Sequence, residues 1–190
     1  MSATSAPFGL RPAFFPTGLE RAQALANGIV SGYTSDILKG QPVKYVTAGV
    51  IQPVTSTEAF VGAFAGVEWT DTTGRRRVSN YWPANTEYQT GSCIAYFYND
   101  ALIVYEIQAD GSVAQAAVGD NANFSNLSAG SNVTGLSQCT MSATLTGTST
   151  YGQLRIVDLA PYPDNAWGDA YTIVRVQIAN HQFVAPLNAI

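Results

Sequence analysis

The strongest constraint on the fold is a succession of short β-prone runs, each closed by a turn, that begins at about Ile37. The clearest runs are residues 43–46, 50–54, 60–67, 154–159 and 171–178. Pro53 cannot donate to a strand ladder and therefore places its run at a sheet edge or a strand end. No long stretch shows the periodicity of an amphipathic helix. Many short strands with turn punctuation predict a mainly β fold, an antiparallel barrel or sandwich with long loops.

A two-residue step in the middle of the chain carries the clearest local turn signal. Asn99 and Asp100 separate two aromatic and β-branched runs, residues 94–98 and 102–107. Such a step between two strand-like runs predicts a β-hairpin. The later stretch 119–152 is almost entirely small or polar, which predicts exposed loops and short strands.

The first 36 residues differ from the rest and predict an extended N-terminal arm ahead of a single β domain at 37–190. The segment interleaves proline with phenylalanine, at Pro7, Phe8, Pro12, Phe14, Phe15 and Pro16. Proline at this spacing excludes a long helix and favours extended chain, although residues 20–26 are compatible with a short helix. The phenylalanines must be buried, so the arm either folds back onto its own domain or docks on a neighbour.

The charge content bears on which partners are expected. Only 12% of the residues are charged and the formal net charge is −4, whereas about 25% is a typical charged share. No broad basic surface is available for nucleic acid, and no apolar run approaches the roughly 20 residues of a membrane span. The first residues lack the pattern of a secretory signal, which predicts a protein made and used in a cytoplasm. A surface with few charges favours assembly, because little charge must be desolvated when a partner docks.

The residues that most often carry chemistry are sparse. The chain has one histidine, His181, and two cysteines, Cys93 and Cys139, without the close spacing of a metal site. No Gly-x-Ser-x-Gly motif accompanies His181, so polar packing at a strand end is favoured over a Ser-His-Asp triad. The sequence predicts no enzyme activity, no metal and no cofactor. A buried thiol is the simpler interpretation of Cys93, and a disulfide with Cys139 stays open.

Residues 68–92 form a polar insertion that is rich in aromatic residues and contains the run Arg75, Arg76 and Arg77. The arginines are either a solvated turn between strands or a contact for carboxylates on another protein, which guanidinium groups bind in a bidentate manner. Trp69 and Trp82 raise the same question, since aromatic side chains are enriched at interfaces but can also cap the ends of a barrel.

Several short segments, taken in order, resemble the head decoration (cement) proteins of tailed bacteriophages. They are residues 6–12, 40–43, 101–108, 118–122, 163–165 and 178–183. The resemblance implies a β-rich accessory protein of the virion, a homotrimer on the outer surface of the head that clamps neighbouring subunits of the major capsid protein. It supplies no active-site residues, and the 68–92 insertion departs from the shorter loop of that group.

This hypothesis assigns partner contacts to three groups of side chains. They are the arm residues Pro7, Phe8, Leu10, Arg11, Phe14 and Phe15, then Arg75, Arg76 and Arg77, then Trp69, Tyr81 and Trp82. Deleting residues 1–16 should then leave a folded domain that no longer binds heads. Two alternatives stay open: another virion component such as a tail or head-fibre protein, and a carbohydrate-binding β domain that uses Trp69, Trp82 and Trp167 as sugar platforms.

Overall fold

A computed structural model describes residues 2–16, 18, 21–147 and 150–187. Within these residues the chain forms fourteen β-strands and one short 3-10 helix, Gln115–Ala117. In chain order the strands are β1 Arg11–Phe14, β2 Gln23–Ala26, β3 Pro42–Tyr45, β4 Ile51–Pro53, β5 Gly62–Thr70, β6 Arg76–Ser79, β7 Ile94–Phe97, β8 Val104–Gln108, β9 Asn121–Ser125, β10 Gly130–Ser131, β11 Leu136–Ser137, β12 Thr140–Leu145, β13 Leu154–Leu159 and β14 Ile173–Ile178. The prediction of a mainly β fold is confirmed.

The strands form two six-stranded sheets and a two-stranded ribbon. The first sheet has the order β1-β8-β14-β13-β9-β12, and the second has the order β2-β7-β5-β3-β4 with β6 also paired to β5. The pairing between these strands is antiparallel throughout. As far as the described residues go, neither sheet closes into a barrel, and the sandwich is the alternative that the structure supports. β4, which contains Pro53, ends the second sheet, as predicted.

Two separate hydrophobic cores lie on opposite faces of β5. Ala63 faces the first core, where it joins Tyr105 and Ile107 of β8 and the central strands of the first sheet. The neighbouring Phe64 faces the second core, which the second sheet builds together with loop residues such as Trp82. Alternation along a strand explains this division, because consecutive side chains point to opposite faces of a sheet.

The two cysteines belong to different cores. Cys93 lies in the second core and Cys139 in the first, and both are free thiols. Burial raises the pKa of each thiol to about 11. The disulfide that the sequence left open is therefore absent, and both side chains act as small buried apolar groups.

The hairpin predicted around Asn99 and Asp100 is wrong. β7 belongs to the second sheet and β8 to the first, so the chain crosses between sheets at this step. The Asp100 carboxylate accepts a hydrogen bond from the Leu102 amide at 2.8 Å, and the Asn99 carbonyl oxygen lies 3.2 Å from His181 Nε2. These contacts hold a turn that redirects the chain and does not fold it back.

The N-terminal segment is extended, as predicted, and it packs on its own chain. β1 is the edge strand of the first sheet, and β2 is the edge strand of the second. Of the two alternatives for the arm, folding back is the one that the structure shows. The helix considered for residues 20–26 is wrong over 23–26, where β2 pairs with β7, and residue 20 lies outside the described residues.

His181 connects the end of β14 to the loop that leaves β7. Its Nδ1 accepts a hydrogen bond from the Phe183 amide at 3.1 Å, which leaves Nε2 to donate to the Asn99 carbonyl. The side chain is buried, and this burial lowers its pKa below the usual 6.5. His181 is therefore a neutral structural side chain at neutral pH.

Because the pKa of His181 is lowered in the folded protein, we expect the protein to lose stability in mild acid. Because the pKa is lower in the folded state, the unfolded chain binds more protons as the pH falls below about 6.5. The free energy of unfolding should therefore decrease between pH 7.5 and 5.5. In His181→Gln the decrease should be much smaller, since the chain has no other histidine. Urea unfolding of both proteins at several pH values across this range is the test. If the free energy of unfolding depended on pH equally in both proteins, the assignment to His181 would be contradicted.

Candidate interaction surfaces

A tight turn connects β6 to its neighbour β5. The Asp71 carboxylate accepts hydrogen bonds from the amides of Thr73 at 3.0 Å and Arg75 at 2.9 Å. Gly74 takes a φ of +86°, a value that favours glycine. Hydrogen bonds from the Thr73 hydroxyl and the Arg75 amide hold the pKa of Asp71 well below its usual range. The Asp-Thr-Thr-Gly sequence therefore fixes this turn through its own side chains.

The exposed strip of residues 75–78, the β6 edge, carries three guanidinium groups and one apolar side chain. Arg76 forms an ion pair with Glu68 of β5, and Arg77 Nε lies 2.9 Å from Asp71 Oδ2. Arg75 forms no ion pair within the described part of the chain. Val78 is 76% exposed. The predicted arginine run therefore contains two internally paired cations and one that is available to a partner.

The main chain of the β6 edge is also open. In the described residues β6 pairs with β5 alone, so one row of its backbone N–H and C=O groups faces away from the sheet. An open strand edge can accept an extended segment of another protein through main-chain hydrogen bonds.

The aromatic residues of the 68–92 insertion pack against one another in the second core. The ring centroids of Trp69 and Trp82 are 5.6 Å apart, and those of Trp82 and Tyr88 are 6.0 Å apart. Trp82 is fully buried and Trp69 almost so, which leaves neither side chain exposed for the partner contact expected of it. Tyr81 is half-buried. Tryptophans in a polar segment resemble interface anchors in sequence, but Trp69 on β5 and Trp82 in the loop beyond β6 fill the second core. They also cannot act as sugar platforms, whereas Trp167 is half-buried.

The six predicted arm contacts divide into one core residue and five at the surface. Leu10 is fully buried in the first core, so it offers no exposed surface for the partner contact expected of it. The five that keep some exposure are Pro7, Phe8, Arg11, Phe14 and Phe15.

A polar cluster on the outer face of the first sheet fastens β1 in place. Arg11 contacts Glu106 at 2.8 Å and stacks over the Phe8 ring at 4.3 Å, while Arg175 lies over Phe14 at 5.3 Å. Burial opposes ionisation of Glu106, but hydrogen bonds from Tyr162 and Arg11 outweigh it and lower the pKa. Sequence reasoning missed this cluster, because its members are spread from residue 8 to residue 175.

Beside β1 lies a groove of about 370 Å³ that joins the arm to the ribbon of β10 and β11. Its lining includes Phe8, Pro12, Tyr98 and Leu136, with Arg11 and Lys39 contributing the charge; we call it the N-terminal groove. Sequence reasoning named three of the lining residues, Phe8, Leu10 and Arg11, but missed Lys39, Tyr98 and Leu136. Leu136 is an isolated apolar residue in a hydroxyl-rich stretch, and only its 44% exposure in the folded chain marks it.

A larger cleft of about 890 Å³ opens between residues 35–57 and 124–132. Its lining is mostly hydroxyl and amide groups, and its one carboxylate, Asp36, accepts a hydrogen bond from the Ala84 amide at 2.7 Å. The described residues contain no group of three His, Cys, Asp or Glu side chains that could hold a metal ion. Nor do they contain a helix long and apolar enough to cross a membrane.

The fold and surfaces define a two-sheet β protein with an open basic strand edge and an apolar groove. No protein-family model matches the chain, and comparisons with curated proteins and with solved structures find no match.

Proposed function

We propose that this chain is a structural protein of a bacteriophage head, which binds the outside of the shell and clamps neighbouring major capsid subunits as a homotrimer. The observation that carries the proposal is the β6 edge. It combines the open row of backbone groups of β6 with exposed Val78 on the strand and exposed Arg75 directly before it, and a tight turn and two ion pairs connect this edge to β5 and its turn. An edge strand that is already paired on one side can add a strand from a neighbour through main-chain hydrogen bonds without first having to form itself.

The rest of the surface favours the same proposal. A chain with 12% charged residues can approach a protein lattice without a large desolvation cost. A homotrimer would present three β6 edges at once, so modest contacts would be multiplied through effective concentration. Sedimentation of the purified protein measures its oligomeric state. A protein that stays monomeric both in solution and on heads would contradict the proposed homotrimer.

The contact itself is tested by a charge and polarity change at the β6 edge. Arg75→Glu combined with Val78→Glu should reduce binding to heads assembled from the major capsid protein of the same genome by at least tenfold. Both side chains are exposed and outside the cores, so the thermal midpoint should change little. Co-sedimentation with heads and a thermal scan give the two readouts.

A matched control separates this contact from general surface charge. Arg21→Glu with Val118→Glu makes the same chemical change at exposed positions outside β6, with Val118 directly after the 3-10 helix and 43% exposed. The control should bind heads like the unmodified chain. Equal binding by the β6 variant would exclude the β6 edge as the contact, and an unmodified protein that sediments with tails and not with heads would overturn the proposed function.

A further inference from the structure

The N-terminal groove is lined mainly by apolar residues that come from distant parts of the chain. Leu10, Gly40 and Phe64 are buried residues that line it, and the exposed parts of Phe8 and Leu136 border it. When another apolar side chain covers apolar surface that is open to water, the free energy of the complex is lowered. The groove therefore suits a ligand with at least one apolar group.

Backbone hydrogen bonds hold the groove in a fixed shape. The Leu10 amide donates to the Gly40 carbonyl at 2.8 Å, and the Gly40 amide donates to the Phe64 carbonyl at 2.8 Å. On the ribbon side, the Ser137 amide donates to the Lys39 carbonyl at 2.9 Å. A preformed site of this kind does not have to be ordered when a ligand binds.

The charged side chains of the groove indicate which polar group a ligand should carry. Arg11 already pairs with Glu106 at 2.8 Å. Lys39 forms no ion pair among the described residues, and its side chain is exposed. One free ammonium beside an apolar floor favours a single carboxylate next to an apolar side chain. It does not provide the row of cations that a nucleic acid backbone requires.

We propose that the N-terminal groove binds an extended peptide segment in which an apolar side chain covers Phe8 and Leu136 while a neighbouring carboxylate pairs with Lys39. The assignment of this segment to the major capsid protein rests on the proposed function. The binding chemistry itself does not.

The test uses the whole protein labelled with ¹⁵N and three capped synthetic hexapeptides. One carries adjacent Phe and Asp residues among alanines, the second has Lys in place of Asp, and the third has Ala in place of Phe. The first peptide should shift the amide signals of Lys39, Gly40 and Leu136, with an affinity at least tenfold above that of the other two. Absence of shifts in the groove, or equal affinity for all three peptides, would overturn the proposal.

Reversal of charge gives the decisive variant. Lys39→Glu should exchange the preference, so that the Lys peptide binds more tightly than the Asp peptide, whereas the matched Arg21→Glu should keep the original order. Unchanged preference in Lys39→Glu would exclude Lys39 as the selective group.

The same variant keeps this inference distinct from the proposed function. If Lys39→Glu loses the peptide preference and still binds heads with full affinity, the groove does not contact the shell and the assignment to the capsid protein is wrong. If the unmodified protein binds the peptide and no heads, the proposed function fails while the peptide site stands.

Discussion

A chain that lacks residues 2–16 is expected to lose its cooperative unfolding transition. The deletion removes β1 from the edge of the first sheet and removes Leu10 from the first core. Truncating one buried leucine typically costs about 2–5 kcal/mol, and whole domains are stable by only about 5–15 kcal/mol. The loss of Leu10 together with the pairing between Arg11 and Glu106 should therefore consume most of the stability. Urea unfolding followed by near-UV circular dichroism measures it.

Two single substitutions calibrate this result. Leu10→Ala keeps the strand and should lower the free energy of unfolding by about 2–5 kcal/mol. Ser5→Ala changes an exposed residue of the same segment and should stay within about 0.5 kcal/mol of the unmodified chain. A truncated chain that unfolds at the same urea midpoint as the full chain would show that the segment adds nothing to the fold.

This expectation reverses the one that the sequence favoured, in which deletion of residues 1–16 leaves a folded domain. Failure of such a truncation to bind heads would therefore report lost folding and not a lost contact. Substitutions at exposed positions, such as Arg75 and Val78, are the appropriate tests of partner binding.

Trp82→Ala is expected to destabilise the second core by about 3–5 kcal/mol. The indole is fully buried and packs against both Trp69 and Tyr88. Trp82→Phe should cost much less, because the Trp82 Nε1 group has no hydrogen-bond partner in the described residues and phenylalanine removes that unpaired donor. Urea unfolding of the two variants provides the comparison. A Trp82→Ala protein within 1 kcal/mol of the unmodified chain would contradict the role assigned to this core.

Sequence patterns were sufficient for the fold class and for several individual strands. The runs at 154–159 and 171–178 correspond to β13 and β14, which pair with each other. Their β-branched residues and flanking turns are local signals, and local signals decide whether a segment is extended. They do not decide which sheet receives the strand. The Asn99 and Asp100 step shows this limit, since the same turn residues can close a hairpin or redirect the chain to another sheet.

The candidate surfaces could be predicted only in part, for a related reason. Arg75 is exposed directly before one short strand, so a local charge run was enough to draw attention to it, whereas the exposed Val78 on that strand was missed. Burial of Trp82 and Leu10 depends on which distant segments cover them, and composition around a residue does not reveal this. Lys39 and Leu136 meet only because β10 and β11 fold beside the arm.

The pairing of β1 with β8 has a consequence for synthesis of the chain. Arg11 and Glu106 are 95 residues apart, so the ribosome must add all of these residues before the first strand can find its partner. At roughly 5–20 residues per second this takes about 5–20 s. During that interval the nascent chain carries an unpaired strand and an exposed Leu10. The earliest residues can therefore dock only after β8 has been made, and at high expression a neighbouring copy can compete for the same place.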